Sequence, residues 1–355
     1  MMGHPQQRLQ ALDALRGIAA MAVVLFHYLP YYHKLYGHSF TPPSLLEFGR
    51  YGVHLFFILS GFVIFMTLER TRTGGWFAMA RSMRLLPGLW AGIIITWLSV
   101  TVLGPQDRAV DLTTAVLNAT LLHEYLGFAH VDGAYWSLVI EATFYCWIGL
   151  VFYTLRDWNR ICPLLCCWVL VSYVGVLFWK EIPATLEFLV KDLLFVRYAP
   201  LFVTGMLLYR WHQYRQLSLI DKVLLAVAIG HALVAYKAPF SYFVLGCHGV
   251  FALAVAGRLD WLATRPLLWL GSLSYALYLV HQNVGYGVIG WSYQQGLPAW
   301  LGVGLALAIA FILASAIHYG IEKPALRWFR ALRKRREAAG SVAPKIRTET
   351  PGSLP

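Results

Sequence analysis

An arginine and a histidine stand eleven residues apart in one apolar run, LDALRGIAAMAVVLFHY, as Arg16 and His27. At about 100° per residue, eleven steps return a helix to within roughly 20° of its starting direction, after a rise of about 16 Å. The two side chains therefore share a stripe. One is a guanidinium suited to binding phosphate; the other is an imidazole suited to accepting a proton. A second apolar run, AYWSLVIEATFY, carries Ser137, Glu141 and Tyr145 in an i, i+4, i+8 row, again one helix face. Counted from the ends of their own runs, Glu141 and His27 reach comparable depths, so a carboxylate and an imidazole are expected in one cavity. Arg81 and Arg84, three apart in RSMRLLPGLW, lie at the same level as Arg16. Three guanidiniums there predict a phosphate-rich ligand. Further candidates are His54 in YGVHLFFILSGF, Ser60 beside Gly61 in the same run, and His281 in GSLSYALYLVHQN. Each has a plainer role open to it: snorkelling or setting topology for the arginines, hydrogen-bonded packing for the rest.

The elements that must position these groups are membrane spans. Of the 355 residues, 59% are hydrophobic and 13% charged, far from a soluble globular domain. Runs of near twenty apolar residues recur, and each, as a helix, can cross about 30 Å of hydrocarbon. They are continuously apolar rather than alternating, which excludes a β-barrel. The predicted fold class is an all-α polytopic membrane protein, a bundle of about ten transmembrane helices. The spans are expected near 12–32, 50–69, 84–103, 134–153, 162–179, 192–211, 218–236, 240–258, 267–290 and 299–320. A shorter apolar segment, Leu112 to Leu122, is expected to lie at the surface. Residues 1–328 form one membrane domain, and 329–355 a basic tail expected to be disordered and cytoplasmic.

Orientation follows from the loops. Arg70, Arg72, Arg81 and Arg84, then Arg156 and Arg160, Arg210, Arg215 and Lys222, Arg258 and Arg265, and the tail's arginines mark alternate connections. Both termini are thus expected in the cytoplasm. The net charge of +12 is mostly this topology signal rather than a nucleic-acid footprint. The five cysteines show no metal-ligand spacing, and no metal is expected.

Together these segments resemble the membrane-bound acyltransferase 3 family. The resemblance runs from LDALRGIAAMAVVLFHY through GVHLFFILSGFVI, RSMRLLPGLW and YWSLVIEATFY to GSLSYALYLVHQ and the closing IEKP. Arg16 and His27 stand at the family's arginine–ten residues–histidine signature. One departure is His54, where many relatives carry an aspartate. The resemblance implies an enzyme of the inner (plasma) membrane. It would move an acyl group, usually acetyl, from cytoplasmic acyl-CoA to a hydroxyl of an extracytoplasmic acceptor, such as a cell-surface polysaccharide or glycolipid sugar. On that reading Arg16, Arg81 and Arg84 hold the donor's phosphates. His27 acts as base or nucleophile, and Glu141 orients its ring. His54, Ser60, Ser137, Tyr145 and His281 line the substrate site, and a continuous passage joins the arginines to His27. A proton-coupled transporter or flippase of a glycan intermediate is the competing reading, since buried His and Glu also suit a carrier. Against it, neither paired broken helices nor an internal repeat is visible.

Overall fold

The computed structural model describes residues 9–341. The principal helices are α1 (Gln10–Phe26), α2 (Gly52–Arg70), α3 (Gly74–Leu103), α4 (Trp136–Leu155), α5 (Trp158–Leu177) and α6 (Ala199–Tyr214). They continue as α7 (Leu219–Ala235), α8 (Phe240–Val255), α9 (Arg265–Val280), α10 (Gln282–Gln294), α11 (Ala299–Ile317) and α12 (Lys323–Ser341). No strand occurs among the described residues. Among the described residues, six segments are long and apolar enough to cross a membrane: Gln10–Tyr36, Ser44–Arg70, Gly74–Leu103, Gly133–Leu155, Trp158–Leu177 and Ala299–Arg336. The other four expected spans fall on α6, α7, α8 and the pair α9–α10, helices of 16, 17, 16, 16 and 13 residues. Length and apolarity thus support six of the ten expected spans. Val102 at 77% and Ile312 at 66% exposure belong to an apolar outer surface that a soluble protein would not leave bare.

Where helices are buried against each other, glycine sets how closely they approach. α1 and α9 run side by side and meet at Gly17 and Gly271. A methyl group on Gly17 would lie 2.7 Å from Gly271 N, and one on Gly271 2.0 Å from the Asp13 carbonyl. Backbone packs on backbone, as small residues permit inside membranes. From this crossing each helix runs ten residues to a histidine, Gly17 to His27 and Gly271 to His281. At 1.5 Å per residue both rings arrive about 15 Å along, at the same level. α2 and α6 meet in the same way at Gly61 and Gly205.

Both histidines sit where a helix departs from regularity. α1 passes into a π-helical turn, His27–Tyr31, containing Pro30. Proline has no N–H to donate, and the wider turn re-registers the chain around it. The expected span 267–290 is broken at His281, between α9 and α10. In an unbroken helix the Asn283 N–H would bond the Leu279 carbonyl. It goes instead to Asp132 Oδ2 at 2.9 Å, and the Leu279 carbonyl accepts from Tyr135 Oη at 3.0 Å. Asp132 is fully buried, and its Oδ1 also accepts from Ala134 N, 2.9 Å away at the entry to α4. One carboxylate therefore fixes the start of α10 against the start of α4.

Two outlying segments complete the picture. The predicted surface segment folds as a short helix, Leu112–Asn118, capped by Asp111. At the other end of the chain, α12 runs in helix from Lys323 to Ser341. Leu326, Phe329 and Leu332 recur at helical spacing, and Phe329 packs on Trp76 with ring centroids 5.9 Å apart. Residues 342–355 lie outside the described residues.

Candidate active site

A cavity of about 110 Å³ collects most of the side chains singled out above. α1 supplies Arg16, α2 Ser60, α3 Arg81 and Arg84, and α4 Ser137, Glu141 and Tyr145; Tyr275 and Tyr278 of α9 close it. The predicted convergence of the three arginines is present. Arg84 Nη1 reaches Glu322 Oε2 at 3.3 Å, and its guanidinium lies over the Tyr275 ring, 5.2 Å from the centroid. Arg81 Nη2 donates to Thr67 Oγ1 at 3.3 Å. The Nε groups of Arg16 and Arg81 are buried with no hydrogen-bond partner among the described residues. Unused cationic donors inside a cavity are costly unless an anion's oxygens complete them.

Glu141 belongs to this cavity and not to His27. Its Oε1 accepts from Ser60 Oγ at 2.8 Å and from Tyr145 Oη at 2.5 Å. Ser60, Glu141 and Tyr145 thus form one network, and the expected pairing of Glu141 with the imidazole does not form. Similar depth did not bring similar direction, because Glu141 faces α2 and its own i+4 neighbour.

His27 instead faces a second histidine. Its Nδ1 lies 2.9 Å from His281 Nε2, with ring centroids 4.9 Å apart. His281 Nδ1 lies 2.8 Å from the Tyr278 carbonyl. A carbonyl only accepts, so the network assigns the proton of neutral His281 to Nδ1. His281 Nε2 is then an acceptor, and His27 Nδ1 must be the donor. In neutral His27 the lone pair is then on Nε2. Tyr28 Oη donates to the His281 carbonyl at 2.7 Å, holding the joint from the α1 side. The arrangement is that of a base oriented by a neighbouring acceptor.

Two expectations are corrected. The cavity lining includes neither His27 nor His281, so the passage from arginines to imidazole is not open. Tyr278 is common to both sides. Its ring lies 5.5 Å from that of His281, and its Oη is 2.6 Å from Ser137 Oγ and 2.9 Å from the Ala134 carbonyl. His54 lies elsewhere, with Nε2 2.8 Å from Tyr236 Oη and its ring against Tyr51 and Tyr198. Six residues before Ser60 on one helix, it points about 120° away from the cavity face.

The sequence did not single out Glu322 as part of the site. It is buried at the end of the π-helical turn after α11, where its Oε2 also lies 2.9 Å from His318 Nδ1. Its place in IEKP, at the arginine-rich end of a span, was the available signal. Comparison with known proteins adds a family. The model described as "Acyltransferase domain", of the acyltransferase 3 type, matches residues 9–319. Nodulation protein 10 of Rhizobium leguminosarum bv. viciae is 25% identical over 197 residues, covering 49% of this chain and 54% of that protein. The chain therefore spans about half the length of that curated relative. No solved structure matches.

Proposed function

The chain belongs to the acyltransferase 3 family, and on that premise we propose that it is a membrane O-acyltransferase using cytoplasmic acyl-CoA, acetyl-CoA by preference. The acceptor is a hydroxyl on an extracytoplasmic glycan or glycolipid of the cell envelope. The observation that carries this reading is the hydrogen bond from His27 to His281, which puts the lone pair of neutral His27 on Nε2, as a base requires.

In the proposed reaction, His27 Nε2 takes the acceptor hydroxyl's proton as that oxygen attacks the thioester carbonyl. The C–S bond then breaks, the thiolate leaves, and the proton passes from His27 to the thiolate or to solvent. His281 Nε2 accepts from Nδ1 throughout, so the imidazolium formed on His27 is stabilised in place. Arg16, Arg81 and Arg84 hold the donor's phosphates. Their end of the bundle carries the loop arginines, which supports a cytoplasmic location in an inner membrane with both termini inside. The rise of about 16 Å from Arg16 to His27 is on the order of an extended pantetheine arm. For the thioester to arrive, the Tyr278 ring has to turn aside. Direct transfer needs fewer steps than an acyl-histidine intermediate and is preferred.

Acetyl-CoA is expected to raise the thermal unfolding temperature of the purified protein, and Arg16→Ala to remove that shift. Wild-type protein indifferent to acetyl-CoA would end the donor assignment. Rapid quench with labelled acetyl-CoA and no acceptor is expected to leave the protein unlabelled; label on His27 would replace direct transfer by the covalent route. Mass spectrometry of envelope glycans from a deletion strain and its parent would identify the acceptor.

A further inference from the structure

We propose that a groove between α6, α7 and α8 binds an anionic phospholipid, with its headgroup at the arginine-rich end of the bundle. The groove encloses about 950 Å³, near the top of the range of roughly 300–1,000 Å³ in which whole small molecules are held. Its floor exists because α8 presents small residues there. Gly249, Ala252 and Ala256 line it, and a methyl group on Gly249 would meet no atom within 4 Å. Leu208 and Trp211 of α6 and Leu225 of α7 form the walls. At the mouth stand Arg215 and Lys222, both exposed and neither in a salt bridge among the described residues. Asp221, beside Lys222, is turned inward onto Trp158 and Ser218 and does not neutralise them.

The groove's level is fixed by Tyr214, which ends α6 and donates to Glu69 Oε1 at 3.1 Å. Glu69 is in the last turn of α2, next to Arg70, so the mouth opens where the loop arginines gather. An apolar trough below two unpaired cations at a membrane boundary complements a diacyl chain below a net negative phosphate. A second copy of the chain fits less well. A two-fold contact through this face would set Arg215 and Lys222 of one copy against those of the other, and nothing anionic in the groove would offset them.

Native mass spectrometry of the full chain, released from a neutral detergent, tests this with two added lipids of identical tails, dioleoylphosphatidylglycerol and dioleoylphosphatidylcholine. The phosphatidylglycerol adduct is expected to survive at clearly higher occupancy. Arg215→Gln with Lys222→Gln changes exposed side chains only and is expected to lower the affinity behind that adduct roughly thirtyfold, at about a kcal/mol for each of the two cations, leaving phosphatidylcholine unchanged. Gly249→Leu places a side chain in open groove and is expected to remove both adducts. Equal retention of the two lipids, an unchanged adduct in the double variant, or an adduct that survives Gly249→Leu would each overturn the proposal. A dimer lost in Gly249→Leu, with no lipid adduct in wild type, would make a second copy the occupant.

Discussion

In the arginine cavity, cationic donors are left unused; at the histidine pair, the nitrogens that hold the two rings together are committed. The Nε groups of Arg16 and Arg81 have no hydrogen-bond partner among the described residues, and Arg84 shares one carboxylate with His318. By contrast, both nitrogens of His281 and the Nδ1 of His27 are engaged, and Tyr28 and Tyr135 bond carbonyls at the helix joint. The difference separates two tasks. A region with unused cationic donors gains when a ligand's oxygens arrive. A ring held by hydrogen bonds beforehand keeps a reacting group still. Substitutions in the first should therefore act on donor affinity, and those in the second on turnover.

The contrast is tested most severely by His27→Ala. Turnover is expected to fall by about 10²–10⁴, the usual worth of a general base, while stabilisation by acetyl-CoA stays at its wild-type value. Loss of both together would merge the two regions into one. His281→Phe keeps a ring but removes the acceptor for His27 Nδ1. It should lower kcat by roughly a hundredfold, the low end of the range for general base catalysis, with the donor KM unchanged. Arg84→Ala should raise the donor KM by roughly tenfold to a hundredfold, as expected for a charged hydrogen bond of about 1.5–3 kcal/mol. Glu322→Gln should move KM in the same direction and by less, and a pure kcat effect in either variant would place them elsewhere. The smallest change is expected from Glu141→Gln, which keeps an oxygen for Ser60 and Tyr145. A few-fold rise in donor KM, with an unshifted pH profile of kcat, is the outcome that fits a carboxylate not in contact with His27.

The sequence carried the arginine cluster well, because charge at helix ends fixes level and three residues at one level need little further information. It carried the helices themselves, although α6 to α10 are shorter than full spans and their neighbours supply the cover. Depth without azimuth was the failure at Glu141: the i, i+4 link to Tyr145 was visible in the row itself and was the contact that formed. His54 was separable from Ser60 by counting residues around one helix. The partner of His27 was legible only in hindsight, through the equal offsets of both histidines from Gly17 and Gly271. The break at His281 depends on Asp132, some 150 residues earlier in the chain, and no local pattern announces a donor captured from so far away.

The shared glycine crossing works as a ruler. Two imidazoles measured off from the same mark keep their mutual height whatever the thickness of the surrounding bilayer. Inserting one residue into either arm would swing that arm's ring by about 100° and part the pair. The depth at which this protein presents the two imidazoles is thus written into the packing of two helices, and lipid composition should leave it untouched.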